Sequence, residues 1–299
     1  MNTNISYYII VFLAIFLFSC EKDITLDLKE PDDMLCLDCI LEAGTDSVVI
    51  FVTKTTAIED SNTFEPITNA QIELRKESEL LTGMVNKGNG KYVFRHKPES
   101  GKKYEILAVV GENNFMTAVT TVPFPPDCNA KFIQDTILDS HWYKGYRTIN
   151  RFAMEINDLQ TKDYYWLQTG AIKDYGIDFT NSYYTDKIYF DEFNRYFYQD
   201  SHYPFTSYEY IGALRLDDSL FPESKIQFSI SGRPPKTIFI YNADIHFDKY
   251  YKSSIKQFLT YEYEGLPIFE PVQIYSNIKN GLGIFGSIAV TKIYIDANI

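Results

Sequence analysis

The sequence predicts a mainly β protein, in which a β-sandwich is followed by a second β-rich domain that contains one amphipathic helix. The first observation behind this prediction is a series of short apolar runs separated by turn-forming residues, a rhythm typical of sandwiches. The second is the aromatic content, 16% of the chain, because dispersed aromatic residues favour strands. The third is a single segment with helical periodicity near the C-terminus.

The predicted sandwich occupies residues 34–122. Residues 70–75 alternate strictly between polar and apolar, as a half-buried strand does. The run Lys87-Gly88-Asn89-Gly90 predicts a hairpin turn, because glycine and asparagine tolerate positive φ. The predicted strands of this domain are residues 35–41, 48–53, 70–75, 80–86, 91–95, 104–110 and 116–122.

A proline-rich linker, residues 123–127, separates the sandwich from the second domain, residues 128–299. Prolines remove backbone donors from a ladder and stiffen the chain, so the run Pro123-Phe124-Pro125-Pro126 predicts a boundary. The second domain is expected to be rich in strands, at residues 151–156, 164–172, 225–231, 237–243 and 284–295.

The predicted helix begins at Asp248. From there, apolar residues follow at the spacing of one helical face. Asp248 is the expected N-cap. The run Gly265-Leu266-Pro267 is expected to stop the helix. The apolar positions of the predicted face are Tyr251, Ile255, Phe258 and Leu259.

The N-terminus predicts export and lipidation. Residues 9–18 are uninterrupted apolar and end at Ser19-Cys20, and such a run is too short for a helix that spans a bilayer. A short apolar run that ends on a small residue is a secretory signal, residues 1–19. Leu17-Phe18-Ser19-Cys20 resembles the bacterial lipobox, which implies acyl chains such as palmitate on Cys20 and a lipidated tether at residues 20–33.

The residues after Cys20 indicate the cellular location to which the protein is sent. Glu21-Lys22-Asp23 resembles the short tag that sends lipoproteins of Bacteroidota to the cell surface. The resemblance implies an outer-membrane protein that faces outward. The same three residues also suit a solvated charged tether. Two or more acyl chains hold a protein firmly on a bilayer, so no soluble pool is expected.

Composition limits the partners. The formal net charge is −12, which argues against nucleic acid, because nucleic-acid binding needs a basic surface. The chain carries neither a G-x-S-x-G elbow nor an H-E-x-x-H motif. We therefore expect a non-enzymatic protein with no catalytic residues, no cofactor and no metal.

Two short patterns nevertheless suggest ligands. Asp244, His246 and Asp248 alternate along the chain as metal ligands on a strand would, but a helix start with an acidic cap accounts for them better. Gly281-Leu-Gly283-Ile-Phe-Gly286 matches the spacing G-x-G-x-x-G. A dinucleotide site needs a helix after the glycines, whereas the residues that follow alternate like a strand. The glycines are expected to allow a turn and a close backbone approach, with Asn280-Gly281 supplying positive φ.

The three cysteines that lipidation leaves are Cys36, Cys39 and Cys128. Cys36 and Cys39 lie on a predicted strand, where an odd separation puts side chains on opposite faces. We favour buried or disulfide-linked structural cysteines, one of them paired with Cys128. Free thiols, and a redox or metal role, remain the alternatives.

Residues 183–210 are the segment of the chain richest in aromatic residues, which lie among Asp and Asn. Aromatic rings with polar rims suit sugars and protein hot spots. The alternative is that the rings form the core of twisted strands. The residues chosen as a candidate partner surface are Tyr184, Tyr196, Phe197 and Tyr203.

Residues 270–286, EPVQIYSNIKNGLGIFG, resemble the C-terminal signature of a Bacteroidota lipoprotein family defined only as a domain of unknown function. The first domain resembles Ig-like, carboxypeptidase-regulatory-like or transthyretin-like sandwiches. The family implies surface-exposed outer-membrane lipoproteins, often encoded beside TonB-dependent receptors. Its signature positions here are Ser276, Asn277, Asn280, Gly281, Gly283 and Gly286.

The resulting hypothesis is an accessory or binding subunit on the cell surface. It is expected to act with a TonB-dependent receptor or an outer-membrane assembly complex. The alternative is a lipoprotein that binds a glycan or another ligand by itself. A ligand would be met by rings on an open face, and a receptor by a broad flat patch.

Overall fold

The computed structural model describes most of the chain between Met34 and Tyr294. The N-terminal residues 1–33 lie outside the described part. The described ranges are residues 34–56, 64–139, 145–157, 162–173, 176–180, 182–185, 198–200, 207–211, 214–217, 224–231, 237–262 and 273–294.

Within these ranges the strands form three sheets. The largest runs in the order β13-β12-β19-β20-β1-β2-β7-β6, with β17 also on β12 and β3 on β2. Its strands are β1(Leu35–Glu42), β2(Val48–Lys54), β3(Glu65–Pro66), β6(Met84–Asn86), β7(Lys91–Phe94), β12(Tyr164–Lys173), β13(Gly176–Thr180), β17(Leu214–Asp217), β19(Thr237–Ala243) and β20(Leu282–Tyr294).

The two smaller sheets flank this one. The four-stranded sheet has the order β5-β4-β8-β9, and the six-stranded sheet the order β10-β11-β18-β14-β16-β15. The first comprises β4(Gln71–Lys76), β5(Glu79–Leu80), β8(Lys103–Val110) and β9(Asn114–Thr121). The second comprises β10(Asp127–Asp139), β11(Gly145–Asn157), β14(Ser182–Thr185), β15(Tyr198–Asp200), β16(Ser207–Ile211) and β18(Lys225–Ser231).

The N-terminal sandwich packs β1, β2 and β7 against the four-stranded sheet. Side chains alternate along β1, with Leu37, Cys39 and Leu41 buried. They share one hydrophobic core with residues of the opposite sheet such as Leu74 and Ile106. Burial of these apolar side chains, at about 25 cal/mol per Å² of apolar surface, is the main stabilisation of the sandwich.

The last strand, β20, lies in the middle of the largest sheet. It runs parallel to β1, with Leu37 opposite Gly283, and antiparallel to β19. Residues 284–289 are all buried, as expected of a strand that is covered on both faces. Residues before and after the segment 123–127 thus contribute to one sheet, and the predicted division into two domains stays a prediction.

The largest sheet is covered on both faces near β12 as well. On one face, Tyr165 and Leu167 pack with Phe152 of β11. On the other face, Tyr164 and Trp166 pack against helix α1(Ile245–Glu262). Consecutive residues of one strand therefore serve two different cores, because side chains alternate across a sheet.

The predicted fold class is confirmed: the protein is mainly β, with one helix in the part of the chain that the structure describes. The hairpin turn is also as predicted, with positive φ at Gly88, Asn89 and Gly90 between β6 and β7. The strand predicted at residues 80–86 is interrupted, because Gly83 has a φ of 93° and splits it into β5 and β6. None of the described helical segments is long and apolar enough to cross a membrane.

Candidate functional site

The C-terminal signature folds into a turn that is held by one side chain. Asn277 Nδ2 donates to the carbonyl oxygen of Phe285 at 2.8 Å, and its Oδ1 accepts from the amide of Phe285 at 2.9 Å. Asn280 at the turn has a φ of 60°, which asparagine tolerates better than most residues. The amide of Lys279 donates to Thr117 of β9 at 2.9 Å. The signature is thereby fastened both to itself and to the sandwich.

The signature glycines let β20 approach its neighbours closely. Gly283 has a φ of 106°, and a Cβ there would collide with the carbonyl oxygen of Leu37. A Cβ on Gly281 would lie 2.8 Å from the carbonyl oxygen of Leu35. Gly286 faces the start of α1, with Phe247 3.2 Å from the ideal Cβ position. Beyond Gly286 the chain continues as β20, as predicted, where a dinucleotide site requires a helix.

A pocket of about 590 Å³ opens where β1, β2 and β20 meet the signature. We call it the β1–β20 pocket. Six of its thirteen described lining residues belong to residues 270–286, so the signature builds almost half of the wall. These six are Gln273, Ile274, Tyr275, Ser276, Leu282 and Gly283.

The pocket wall is largely apolar and aromatic. Its aromatic residues are Phe51, Phe64, Tyr250 of α1 and Tyr275. Phe51 is 44% exposed, and Phe64 is 70% exposed. Ile274 and Leu282 are exposed too, so four large apolar side chains at one opening face solvent. Contiguous exposed apolar surface of this kind marks binding sites.

Two hydroxyls and an imidazole fix the wall beside the helix. His246 Nδ1 and the Tyr275 hydroxyl are 2.8 Å apart, and their rings stack at 6.2 Å. The amide of Tyr275 donates to Ser253 Oγ at 2.8 Å. Burial raises the pKa of the Tyr275 hydroxyl, and the nearby Asp244 raises it further. Tyr275 is thus held rigidly and stays neutral, a suitable wall for an apolar ligand.

Asp38 is the one charged residue among the described lining residues. It retains contact with solvent, yet burial of its carboxyl by the surrounding wall raises its pKa. Burial also raises the pKa of the Tyr250 hydroxyl, with Asp38 as the next largest cause. The carboxylate is therefore exposed at the pocket, and the surrounding wall removes part of its hydration.

The cysteines are partly as predicted. Cys39 is buried in the sandwich core, and Cys36 lies on the opposite face of β1, in the pocket wall. All three cysteines are free, so the disulfide that was one of the expected states is absent from the structure. Burial raises the pKa of Cys36 and of Cys39, and raises that of Cys128 to about 11. All three are therefore thiols at neutral pH rather than reactive thiolates.

The residues Asp244, His246 and Asp248 are separated by the helix start. Asp244, not Asp248, is the N-cap: its Oδ1 accepts from the amide of Phe247 at 2.8 Å. The prediction of Asp248 as the cap is wrong because the helix begins one turn earlier, at Ile245. No cluster of potential metal ligands occurs among the residues that the structure describes.

Asp248 instead forms a buried ion pair. It receives Arg215 Nε at 2.6 Å and Nη2 at 2.9 Å, a bidentate contact. Trp166 Nε1 donates to the same carboxylate at 3.1 Å. Because Arg215 is on β17 and Trp166 on β12, this cluster fastens α1 to the largest sheet.

Several predicted sites fall outside the described residues. They are the lipidation site Cys20, the tag Glu21-Lys22-Asp23, and Tyr196, Phe197 and Tyr203 of the candidate partner surface. Tyr184 lies in β14, which pairs with β16 and β18. The candidate partner surface stays a prediction.

Sequence reasoning missed the β1–β20 pocket. One signal was available, since Phe51 is a large aromatic residue on the outward face of the predicted strand 48–53, beside the inward Ile50 and Val52. The second signal was the signature itself, whose residues 273–276 precede the turn. The sequence could not show that these two segments meet.

Comparison with known proteins gives one family. A family model described as "Domain of unknown function (DUF4249)" matches residues 21–293. No curated protein matched the chain. The match includes β1, β2, all but the last residue of β20, and the whole signature.

Proposed function

The chain belongs to the DUF4249 family, and we propose that it is a non-enzymatic binding subunit on the outer membrane of a Bacteroidota cell. Acyl chains on Cys20 hold it there, and Glu21-Lys22-Asp23 directs it to the outer surface. It binds a ligand and acts with an outer-membrane protein, of the TonB-dependent receptor type or part of an assembly complex.

The observation that carries the binding role is the β1–β20 pocket. Its volume of about 590 Å³ lies within the range of ligand sites, about 300–1,000 Å³. Exposed apolar side chains at its opening leave water when a ligand enters, which is favourable. The rigid turn around Asn277 supports the wall, and a preformed site lowers the entropy cost of binding.

The anchor is tested by Cys20→Ala. The variant is expected to lose fatty-acid labelling and to leave the outer-membrane fraction, because Cys20 is the only residue at the lipobox-like cleavage site. Ser19→Ala is the control, since alanine is also small and leaves the cysteine in place. A Cys20→Ala protein that still labels and still fractionates with that membrane would contradict the anchor.

The partner is tested by co-purification from detergent-solubilised membranes. Tyr184, Tyr196, Phe197 and Tyr203 are changed singly to alanine, and co-purifying proteins and melting temperature are measured together. An aromatic hot spot contributes about 2 kcal/mol or more to association, so at least one variant should lose its partner without losing stability. If all four only destabilise the fold, these rings are core and the partner surface lies elsewhere.

The alternative is a surface lipoprotein that binds a ligand by itself. The concave shape of the β1–β20 pocket favours a ligand over a flat protein patch there. Co-purification separates the two functions: a stand-alone binder retains ligand affinity and brings down no outer-membrane protein.

A further inference from the structure

The charge of the β1–β20 pocket points to the class of ligand it takes. Asp38 lies on β1 between the buried Leu37 and Cys39, so its side chain is on the outward face of the strand. The remaining described lining residues are uncharged at neutral pH. A ligand in this pocket therefore meets one negative charge and an apolar, aromatic wall.

Within the described part of the chain, the Asp38 carboxylate has neither an ion pair nor a hydrogen bond. Among the described groups, Asp38 raises the pKa of Cys39 beside it on β1 and of Tyr250 of α1, and neither is a cation at neutral pH. A carboxylate at a pocket without a cationic neighbour can accept a charge-assisted hydrogen bond from a cationic ligand.

Two lysines approach the pocket from outside its lining. Lys91 Nζ lies 5.8 Å from the centre of the Phe51 ring, and Lys249 Nζ lies 5.4 Å from that of Tyr275. Both contact the rings of wall residues, and neither is part of the described lining. A third cation nearby, Lys54, lies 3.9 Å from Glu65. None of these three contacts involves Asp38, so no lysine of the described residues is seen to pair with it.

We propose that the β1–β20 pocket binds a small amphipathic organic cation, with its nitrogen on Asp38 and its apolar body against Phe51, Phe64 and Leu282. This rests on the proposed function, since it names the ligand class for the same pocket. Anionic ligands such as fatty acids and phosphates are disfavoured, because they would bring a second negative charge to Asp38. The net charge of −12 also attracts cations to the surface.

The raised pKa of Asp38 adds a second measurement, the pH dependence of the affinity for a cation. A bound cation stabilises the carboxylate and lowers its pKa, so binding releases protons when Asp38 is partly protonated. The affinity for a cation should therefore fall as pH is lowered through the raised pKa of Asp38. The affinity for an uncharged analogue should not follow that course.

The test uses the mature lipidated protein in nanodiscs of zwitterionic lipid. Three fluorinated probes of similar shape are compared by ligand-observed ¹⁹F NMR: 4-fluorophenethylamine, 2-(4-fluorophenyl)ethanol and 3-(4-fluorophenyl)propanoate. Empty nanodiscs give the binding to lipid, which is subtracted. We expect the amine to bind about tenfold more tightly than the alcohol, because a charge-assisted hydrogen bond is about twice as strong as a neutral one. The carboxylate should bind most weakly.

Variants of Asp38 and Phe51 test whether these residues bind the probes. Asp38→Asn should make the amine and the alcohol equal and leave the affinity for the alcohol unchanged. Asp46→Asn, at an exposed position between β1 and β2, is the charge-matched control and should change nothing. Phe51→Ala should weaken all three probes, whereas Phe115→Ala, at a similarly exposed position on β9, should weaken none.

Three results would overturn the inference: a carboxylate probe that binds as tightly as the amine, an amine preference that survives Asp38→Asn, or an alcohol that binds as tightly as the amine. Binding of the alcohol with no preference for the amine would refute only the ligand class. If no probe binds beyond empty nanodiscs, the inference fails and the proposed binding role of this pocket fails with it.

Discussion

Two carboxylates on the same side of the largest sheet have opposite surroundings. Asp248, at the start of α1, is buried and receives the guanidinium of Arg215 and the indole of Trp166. Asp38, in the β1–β20 pocket, has apolar neighbours and neither an ion pair nor a hydrogen bond among the described residues. The charge of Asp248 is paired within the fold, whereas we propose that the charge of Asp38 pairs with a bound ligand. Unsatisfied groups of this kind are expected where a protein sacrifices stability for function.

The surroundings of the Asp244 carboxylate are intermediate between those of Asp248 and Asp38. Its carboxylate accepts from Thr120 Oγ1 at 2.5 Å and from the amides of Phe247 and Ser287 at 2.8 and 3.1 Å. It thereby joins β9, the helix start and β20. Burial nevertheless raises its pKa, more than these hydrogen bonds lower it.

The largest expected effect is that of Asp248→Asn. Removing one partner of a buried ion pair leaves Arg215 uncompensated, and such changes lower the free energy of unfolding by about 3–5 kcal/mol. Urea unfolding followed by tryptophan fluorescence measures it. Glu99→Gln, which breaks the exposed pair with Lys76, is the control and should leave the unfolding midpoint unchanged. A small effect of Asp248→Asn would show that the helix start does not depend on this pair.

Gly283→Ala is expected to cause the next largest loss in the free energy of unfolding. Its φ of 106° and the adjacent carbonyl oxygen of Leu37 make any side chain unfavourable, and strained backbone positions cost about 1–3 kcal/mol each. The comparison is Gly111→Ala, where φ is 66° and a Cβ would meet no atom within 4 Å. The difference between the two unfolding free energies isolates the contact with β1. Equal losses would mean that backbone strain alone matters.

Asp244→Asn should change the pH dependence of stability. A carboxyl whose pKa is raised in the folded state binds protons more readily folded than unfolded. The wild type therefore gains stability relative to the variant as pH falls through the raised pKa toward the ordinary value of 3.8. Unfolding free energies of both proteins across the acid range measure this. Parallel curves would contradict the raised pKa.

The smallest effect, and the one of opposite sign, is that of Asp38→Asn. Because burial disfavours the charge, its removal should raise the free energy of unfolding at neutral pH, by no more than about 0.5 kcal/mol at this partly exposed position. Asp46→Asn is again the control. A loss of stability would show that Asp38 has a structural partner, and the contrast with Asp248 would disappear.

The sequence alone determined the class of fold and most of its strands. Alternation in residues 70–75, the glycine-rich turn at residues 87–90 and the helical spacing after Asp248 are local patterns, and local sterics and side-chain direction decide what they form. The glycines of the signature were likewise assigned to a turn and a close approach. The signals proposed at Cys20 and Glu21-Lys22-Asp23 depend on recognition by other molecules, so they too can be proposed without the fold.

Tertiary structure alone decided the site. The signature follows Cys36 and Asp38 of β1 and Phe51 of β2 by more than 200 residues along the chain, and the parallel pairing of β1 with β20 brings it to them. No local pattern specifies that pairing, because parallel partners are chosen by the packing of the whole sheet. The same holds for Asp248: its sequence neighbours suggested a cap, and only the distant Arg215, on β17, made it half of a buried ion pair.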